Sequence, residues 1–165
     1  MILLNLYYLE ISRLEINLTK INLTNSIANN VVDYVQQFEK KHMEVEFNTE
    51  DPIYVLGNEE KINRIIQNLM KNALNYSDGD VVIDIFIKDE SIILSFKNPI
   101  SDSNEINIDN LFDKFYFAEK SRGKSTGLGL SIVKLLTEQM NGKINAFLNE
   151  NNIDIQIQLN PYINK

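Results

Sequence analysis

The sequence predicts an α+β fold of two layers, a mixed and mostly antiparallel sheet with helices on one face. Three observations carry that expectation. Ile62, Ile65, Ile66, Leu69, Met70, Ala73 and Leu74 keep the i, i+3, i+4, i+7 spacing of an amphipathic helix over residues 58–76. Residues 81–87 and 91–96 are apolar, β-branched-rich runs split by Lys88-Asp89-Glu90, the pattern of a hairpin. Residues 143–148 and 153–159 repeat it across Asn149-Glu150-Asn151-Asn152.

The remaining elements follow in chain order. Leu3, Leu4, Tyr7, Ile11 and Leu14 stand at helical spacing in residues 1–15, a short amphipathic helix with little stability of its own. Thr24 is the expected cap of a second helix that buries Ile27, Val31, Tyr34, Val35 and Phe38 and ends at the basic pair Lys40-Lys41. Strand-like runs at 43–47 and 53–56 lead into the 58–76 helix. The polar stretch 99–110 lacks periodicity and reads as a long loop, with a lid expected between Tyr116 and Gly127. A last apolar helix is expected to stop with Gly142 at its C′ position.

A chain of 165 residues with 44% hydrophobic content suits one domain around one core. Its formal charge of −7 argues against a nucleic-acid partner, because a groove-tracking surface needs a net basic face to displace counterions. The basic cluster between Lys114 and Lys124 is a local exception that suits a small anion. Without cysteine there are neither disulfide staples nor thiolate metal sites. No apolar run is long enough to span a bilayer, and no signal peptide with a basic start is visible.

Within the 58–76 helix, Arg64, Asn68, Asn72 and Asn75 fall in a narrow arc opposite the apolar stripe. Each Asn costs a few tenths of a kcal/mol, roughly, against Ala in a helix interior. Two readings stand at this point. A carboxamide oxygen ligates a hard cation without adding charge, which suits a Mg²⁺ that already carries phosphate oxygens. Alternatively, an Asn-rich chain spends Asn wherever it needs polarity.

A second segment points to an anion. Gly123-Lys124-Ser125-Thr126-Gly127-Leu128-Gly129-Leu130 is a basic, glycine-bearing loop that runs into an apolar helix. Its glycines let the backbone approach a ligand, and the helix start offers unpaired N–H groups and a partial positive charge. Lys120, Arg122 and Lys124 concentrate cations just before it.

Taken together, the two segments resemble the catalytic, ATP-binding domain of sensor histidine kinases, within the wider superfamily of gyrase-type and Hsp90-type ATPases. Residues 68–77 resemble the family's asparagine box, Leu111-Phe112-Asp113-Lys114-Phe115-Tyr116 its phenylalanine box, and Ser125-Thr126-Gly127-Leu128-Gly129-Leu130 its second glycine box. Their order and spacing carry the resemblance over residues 21–159. It implies a Bergerat-type fold, ATP and Mg²⁺ as ligands, and transfer of the γ-phosphoryl group to a histidine. Residues 1–20 would then be the end of a dimerisation helix and linker, and 21–165 the kinase domain.

The resemblance also assigns roles. Asn72 matches the Mg²⁺ ligand, Asn68 a second contact to metal or phosphate, Tyr76 an aromatic along the adenine, and Phe115 the aromatic at the lid base. Asn75 stands where a basic side chain commonly reaches a phosphate. Lys120, Arg122 and Lys124, with residues 125–130, would hold the phosphates, Arg122 giving catalytic help. The sequence departs from the pattern at Asn98-Pro99-Ile100-Ser101-Asp102, where the family's Asp-x-Gly-x-Gly has lost both glycines, and at Phe117, which replaces an arginine. Asn98 keeps an acceptor for the adenine amine but loses its charge.

At Asn68 gyrase-type ATPases and serine-kinase relatives carry a glutamate base, so its absence favours an imidazole nucleophile, which needs none. His42, the one histidine, is a helix-to-strand junction residue and not the acceptor. Residues 118–125 nearly match a P-loop, but Ala118 replaces the first glycine and Gly127 and Gly129 would weaken the helix behind it. The implied partners are the upstream dimerisation and phosphoacceptor domain, in a homodimer, and a response regulator. The implied setting is the cytoplasmic part of a membrane-anchored sensor, reaching the membrane only through upstream segments. A degenerate nucleotide-binding module with a regulatory role and no transfer activity is the alternative, supported by the lost glycine box, Asn75 and Phe117.

Overall fold

Along the last strand of the chain every second residue, Ile153, Ile155, Ile157 and Leu159, is buried, while its neighbour is buried on both faces from Ile92 to Phe96. Period-two burial fixes one face of a sheet against helices. The computed structural model describes residues 2–13, 16–49, 51–101, 103–116 and 126–164. Their elements are α1 (Ile2–Ser12), β1 (Thr19–Asn22), α2 (Leu23–Glu39), β2 (Val45–Asn48), β3 (Tyr54–Gly57), α3 (Glu59–Tyr76), β4 (Val81–Lys88), β5 (Ser91–Pro99), α4 (Gly129–Gln139), β6 (Lys143–Asn149) and β7 (Asn152–Leu159).

The main sheet has the order β2-β4-β5-β7-β6. All its pairs are antiparallel except β2 with β4, so the mixed, mostly antiparallel α+β expectation holds. Its outer face carries a polar ladder in which Lys97 Nζ lies 3.1 Å from Asp84 Oδ2 and the Ser95 hydroxyl donates to Asp154 Oδ1 at 2.6 Å. The inner face packs against α2, α3 and α4 through Leu23, Ile27, Ile65, Ile66, Leu69 and Val133. Full burial of each such side chain contributes about 1.5–3 kcal/mol.

Several local expectations are corrected. β1, which pairs with β3 in a separate two-stranded sheet, has no strand signal beyond Ile21 and is an element the sequence reading lacks. The cap of α2 is Asn22, which accepts from the Asn25 N–H; the Thr24 hydroxyl is taken by the Ile53 N–H at 2.9 Å. Val35 is 36% exposed, because the inward stripe of α2 runs through Ser26 and Asn30 instead. Asn30 Nδ2 donates to the Ser26 carbonyl and to Asn63 Oδ1 on α3, a polar link that turns the apolar arc away from Val35.

At the end of α4 the left-handed C′ residue is Asn141 (φ 58°), and Gly142 follows it. The Gly142 N–H reaches the Thr137 carbonyl at 2.9 Å and the Asn141 N–H that of Glu138, the paired bonds of a Schellman motif. Gly142 is required for a different reason, since a Cβ there would lie 2.5 Å from the Gln158 carbonyl. His42 takes the same left-handed position (φ 56°) after α2, while the Met43 N–H reaches back to the Phe38 carbonyl. The expected loop at 99–110 begins one residue later, because β5 continues through Pro99, and it contains two short 3₁₀ turns at Ser103–Glu105 and Ile108–Asn110.

Candidate functional site

α3 is capped by Asn58, whose side chain accepts from the Lys61 N–H, and carries Glu59 and Glu60 in its first turn, where negative charge suits the dipole. Its buried stripe is Lys61, Ile62, Ile65, Ile66, Leu69, Met70, Ala73 and Leu74. Arg64, Asn68, Asn72, Asn75 and Tyr76 are all half-buried, so the carboxamide row borders a packed surface instead of open solvent.

That surface is the start of α4. A Cβ on Gly129 would sit 3.4 Å from Asn68 Oδ1, so the row and the glycine loop face each other and the glycine leaves the room the carboxamide uses. Asn68 Nδ2 donates to the Arg64 carbonyl at 2.8 Å, which turns its oxygen toward α4. Among the described residues the Asn72 carboxamide makes no hydrogen bond to protein.

The glycine loop is built by local strain and caps. Gly127 has φ 69°, a backbone that a Cβ resists. Leu128 is the cap residue of α4 and supplies no side-chain bond, leaving the first N–H groups of the helix to other acceptors. The Leu128 N–H lies 3.4 Å from the Thr126 hydroxyl. Leu128 is 2% exposed and Leu130 is buried, so both leucines belong to the core and only their backbone can serve a ligand. Phe115, half-buried and left-handed (φ 61°), donates its N–H to the Gly127 carbonyl at 2.8 Å and ties the phenylalanine box to the glycine loop. Lys120, Arg122, Lys124 and Ser125, with Phe117 and the P-loop-like run, lie outside the described residues.

At the other end of α3, Ser77 and Asp78 hold the end of β5. The Asp78 N–H donates to the Pro99 carbonyl at 2.9 Å and the Ser77 hydroxyl approaches it at 3.4 Å. Asn98 is 4% exposed and its Nδ2 donates to the same carbonyl at 3.2 Å, which leaves Oδ1 as the acceptor of that side chain. The altered glycine-box segment is therefore a strand end, with Ile100 buried and bonded through its N–H to the Asn151 carbonyl.

Lys61 was not singled out from sequence, although its place in the 61, 65, 69 series marked it as inward. Its Nζ donates to Gln139 Oε1 at 2.9 Å, joining α3 to the end of α4. Burial lowers the pKa of its ammonium, opposed by Glu60 and helped by a smaller repulsion from Arg64. A separate hollow of about 400 Å³ lined by Leu6, Leu9, Glu10 and Arg13 runs along α1 and contains no residue of the α3–α4 arrangement. Among the described residues no group of three or more His, Cys, Asp or Glu could hold a metal, and no helix is long and apolar enough to cross a membrane.

The comparisons with known proteins agree with this geometry. Residues 57–160 match the family described as histidine kinase-, DNA gyrase B- and HSP90-like ATPase. The sensor protein DltS of Streptococcus agalactiae is 30% identical over 161 residues, which cover 95% of this chain and 41% of that protein. The sensor histidine kinase YcbM of Bacillus subtilis is 31% identical over 144 residues, 84% of this chain and 46% of the relative. The chain thus spans less than half the length of these two relatives. Among solved structures, the histidine kinase AdeS of Acinetobacter baumannii superposes with a TM-score of 0.77 at 19% identity, covering 98% of this chain and 76% of that one.

A mixed sheet backed by helices is the fold this chain shares with a histidine kinase structure, and the chain belongs to the histidine kinase-, DNA gyrase B- and HSP90-like ATPase family. Within it, the relatives identify a catalytic domain of the sensor histidine kinase type.

Proposed function

We propose that this domain binds Mg·ATP between α3 and α4 and transfers its γ-phosphoryl group to a histidine on an upstream helical domain, for later relay to a response-regulator aspartate. The observation that carries the reading is the apposition of Asn68 and Gly129. A ligand held there would be bordered by carboxamides on one side and uncapped helix N–H groups on the other.

The residues fit the implied ion. Asn72, with Asn68 one turn away, would hold Mg²⁺ through neutral oxygens, which suits an ion already sharing phosphate oxygens. When bound, the ion supplies neutralisation of phosphate charge. The chain's own groups orient the nucleotide: Gly127, Leu128 and Gly129 offer backbone to the phosphates, Lys120, Arg122, Lys124, Ser125 and Thr126 add donors, Asn75 a weaker polar contact, and Tyr76, Phe115 and Asn98 border the base. In the transfer, an imidazole nitrogen forms a bond to the γ-phosphorus while the bond from that phosphorus to the bridging oxygen breaks, and ADP leaves. The row contains no carboxylate, so activation of water is poor and an acceptor with its own lone pair is favoured.

Residues 1–20 are the end of the preceding helix and linker in this reading, and the acceptor domain, its homodimer, the membrane anchor and the response regulator belong to the longer protein. The test is calorimetric titration of Mg·ADP into this chain and its Asn72→Asp and Gly127→Ala variants. Clear binding by the first and loss in the two variants supports the reading; identical weak heats from all three would favour a degenerate module. The chain alone should not label itself from ATP, and addition of the upstream domain should restore labelling.

A further inference from the structure

Arg64 occupies the same face of α3 as the carboxamide row, one turn before Asn68. Its guanidinium carbon lies 5.4 Å from the centroid of the Tyr7 ring on α1. Glu60 stands four residues earlier, a spacing at which Glu and Arg pair on helices. Yet the ion pair formed among the described residues is Lys97 with Asp84. In a chain of net charge −7, Arg64 is a half-buried cation that, among the described residues, is balanced by an aromatic face and not by a carboxylate. A ring face leaves the five N–H donors of a guanidinium without acceptors.

The direction of α3 says what those donors face. Its C-terminal end, at Tyr76 and Ser77, adjoins Pro99 and Asn98, the base end of the proposed site. Asn68 meets Gly129 about 12 Å back along the axis, at 1.5 Å per residue. Arg64 lies one further turn away from the base, beyond the point where the glycine loop would hold the inner phosphates. A group there meets the terminal phosphate of a triphosphate and nothing of a diphosphate.

Building on the nucleotide reading above, we propose that Arg64 is a γ-phosphate contact that separates triphosphate from diphosphate, and that Tyr7 on α1 is a latch which draws it away. A charge-assisted bidentate bond to phosphate is stronger than a cation–π contact at an exposed ring, so a triphosphate takes Arg64 from Tyr7. α1 is thereby coupled to the site: a movement of the upstream helix that removes Tyr7 raises affinity for the triphosphate alone. Linkage makes the effect reciprocal, and triphosphate binding loosens α1.

The test is a set of titrations with Mg·ADP and with the Mg²⁺ complex of a non-hydrolysable ATP analogue, on the unmodified chain, Tyr7→Ala, Tyr7→Phe, Arg64→Gln and the Tyr7→Ala/Arg64→Gln double variant. Arg64→Gln should weaken the analogue about fivefold and Tyr7→Ala should tighten it about threefold, shifts of roughly 1 kcal/mol or less. Tyr7→Phe should behave as the unmodified chain, because the ring and not the hydroxyl makes the contact. The double variant should match Arg64→Gln. ADP affinity should stay constant throughout, which also reports an intact fold. Equal shifts for both nucleotides, or a Tyr7→Ala gain that survives in the Arg64→Gln background, would overturn the latch while leaving the nucleotide site standing. Absence of ADP binding in the unmodified chain would instead remove the nucleotide reading, and the latch with it.

Discussion

The two ends of α3 solve different problems. At the end proposed to hold the phosphates the backbone is specialised beside a carboxamide row: a left-handed Gly127, an uncapped helix start and a glycine that makes room for Asn68. At the end proposed to hold the base the glycines of the family pattern are gone, and a strand running through Pro99 carries a buried carboxamide whose amide N–H is already bonded. In the proposed reading the first end depends on glycine backbone together with the Asn72 carboxamide, which few substitutions can replace. The second depends on one acceptor atom, Asn98 Oδ1, which several residue types could supply. The phosphate end is therefore the part expected to govern affinity.

The largest test of that contrast is Asn72→Ala, which should weaken Mg·ADP about thirtyfold, roughly the 2 kcal/mol lost when a group bonded to a charged partner is removed. Asn98→Ala, measured beside it, should cost less than about fivefold for a neutral bond. The reverse ranking in calorimetry would place the governing contact at the base. Gly127→Ala comes next: forcing a Cβ into its φ of 69° should cost about 1–2 kcal/mol, seen as weaker nucleotide binding with little change in helix content by circular dichroism.

Asn98→Asp sharpens the comparison from the other side. A charged acceptor should tighten adenine nucleotides a few-fold, about 1 kcal/mol, while its burial lowers the melting temperature. Unchanged affinity together with unchanged stability would mean that the side chain faces neither ligand nor core.

Lys61 supplies a pH-dependent check away from both ends. Its pKa is lowered in the folded chain, so between that value and 10.5 the unfolded chain binds more protons and stability rises with pH. Its burial cost is thus present at neutral pH and relieved as pH climbs toward 10.5. Relative to Lys61→Met, the unmodified chain should gain stability across that window in urea titrations, and a flat difference would refute it. The smallest effect belongs to His42→Gly, which should stabilise by about 0.5–1 kcal/mol because glycine adopts the left-handed position freely, with nucleotide affinity unchanged.

Long periodic segments were the legible part of this sequence. The apolar arc of α3, the alternation of β6 and β7 and the unbroken apolar run of β5 each extend over several residues, so single exceptions do not hide them. β1 escaped because four residues with one buried side chain carry no period. The caps were misread where two suitable residues compete within a few positions: Asn22 over Thr24, and Asn141 over Gly142. In both places a distant backbone group decides, through the Ile53 N–H that occupies Thr24 and the Gln158 carbonyl that excludes a side chain at 142.

The carboxamide row and the glycine loop were readable separately, but their apposition was not, because it depends on how α3 and α4 share one face of the sheet. The strand character of Asn98-Pro99 was hidden by the proline, which ends a strand more often than it lies within one. Tyr7 and Arg64 meet from helices far apart in the sequence, and neither position marks the other.

The parallel pairing of β2 with β4 sets a condition on how the molecule assembles. Everything between those two adjacent strands, β3 and the whole of α3, has to cross over the sheet before the edge can close. α3 is therefore the connector of a crossover and not an appendage. A chain that has not finished its sheet has no cleft, and amide exchange at β2 should rise and fall in step with exchange along α3.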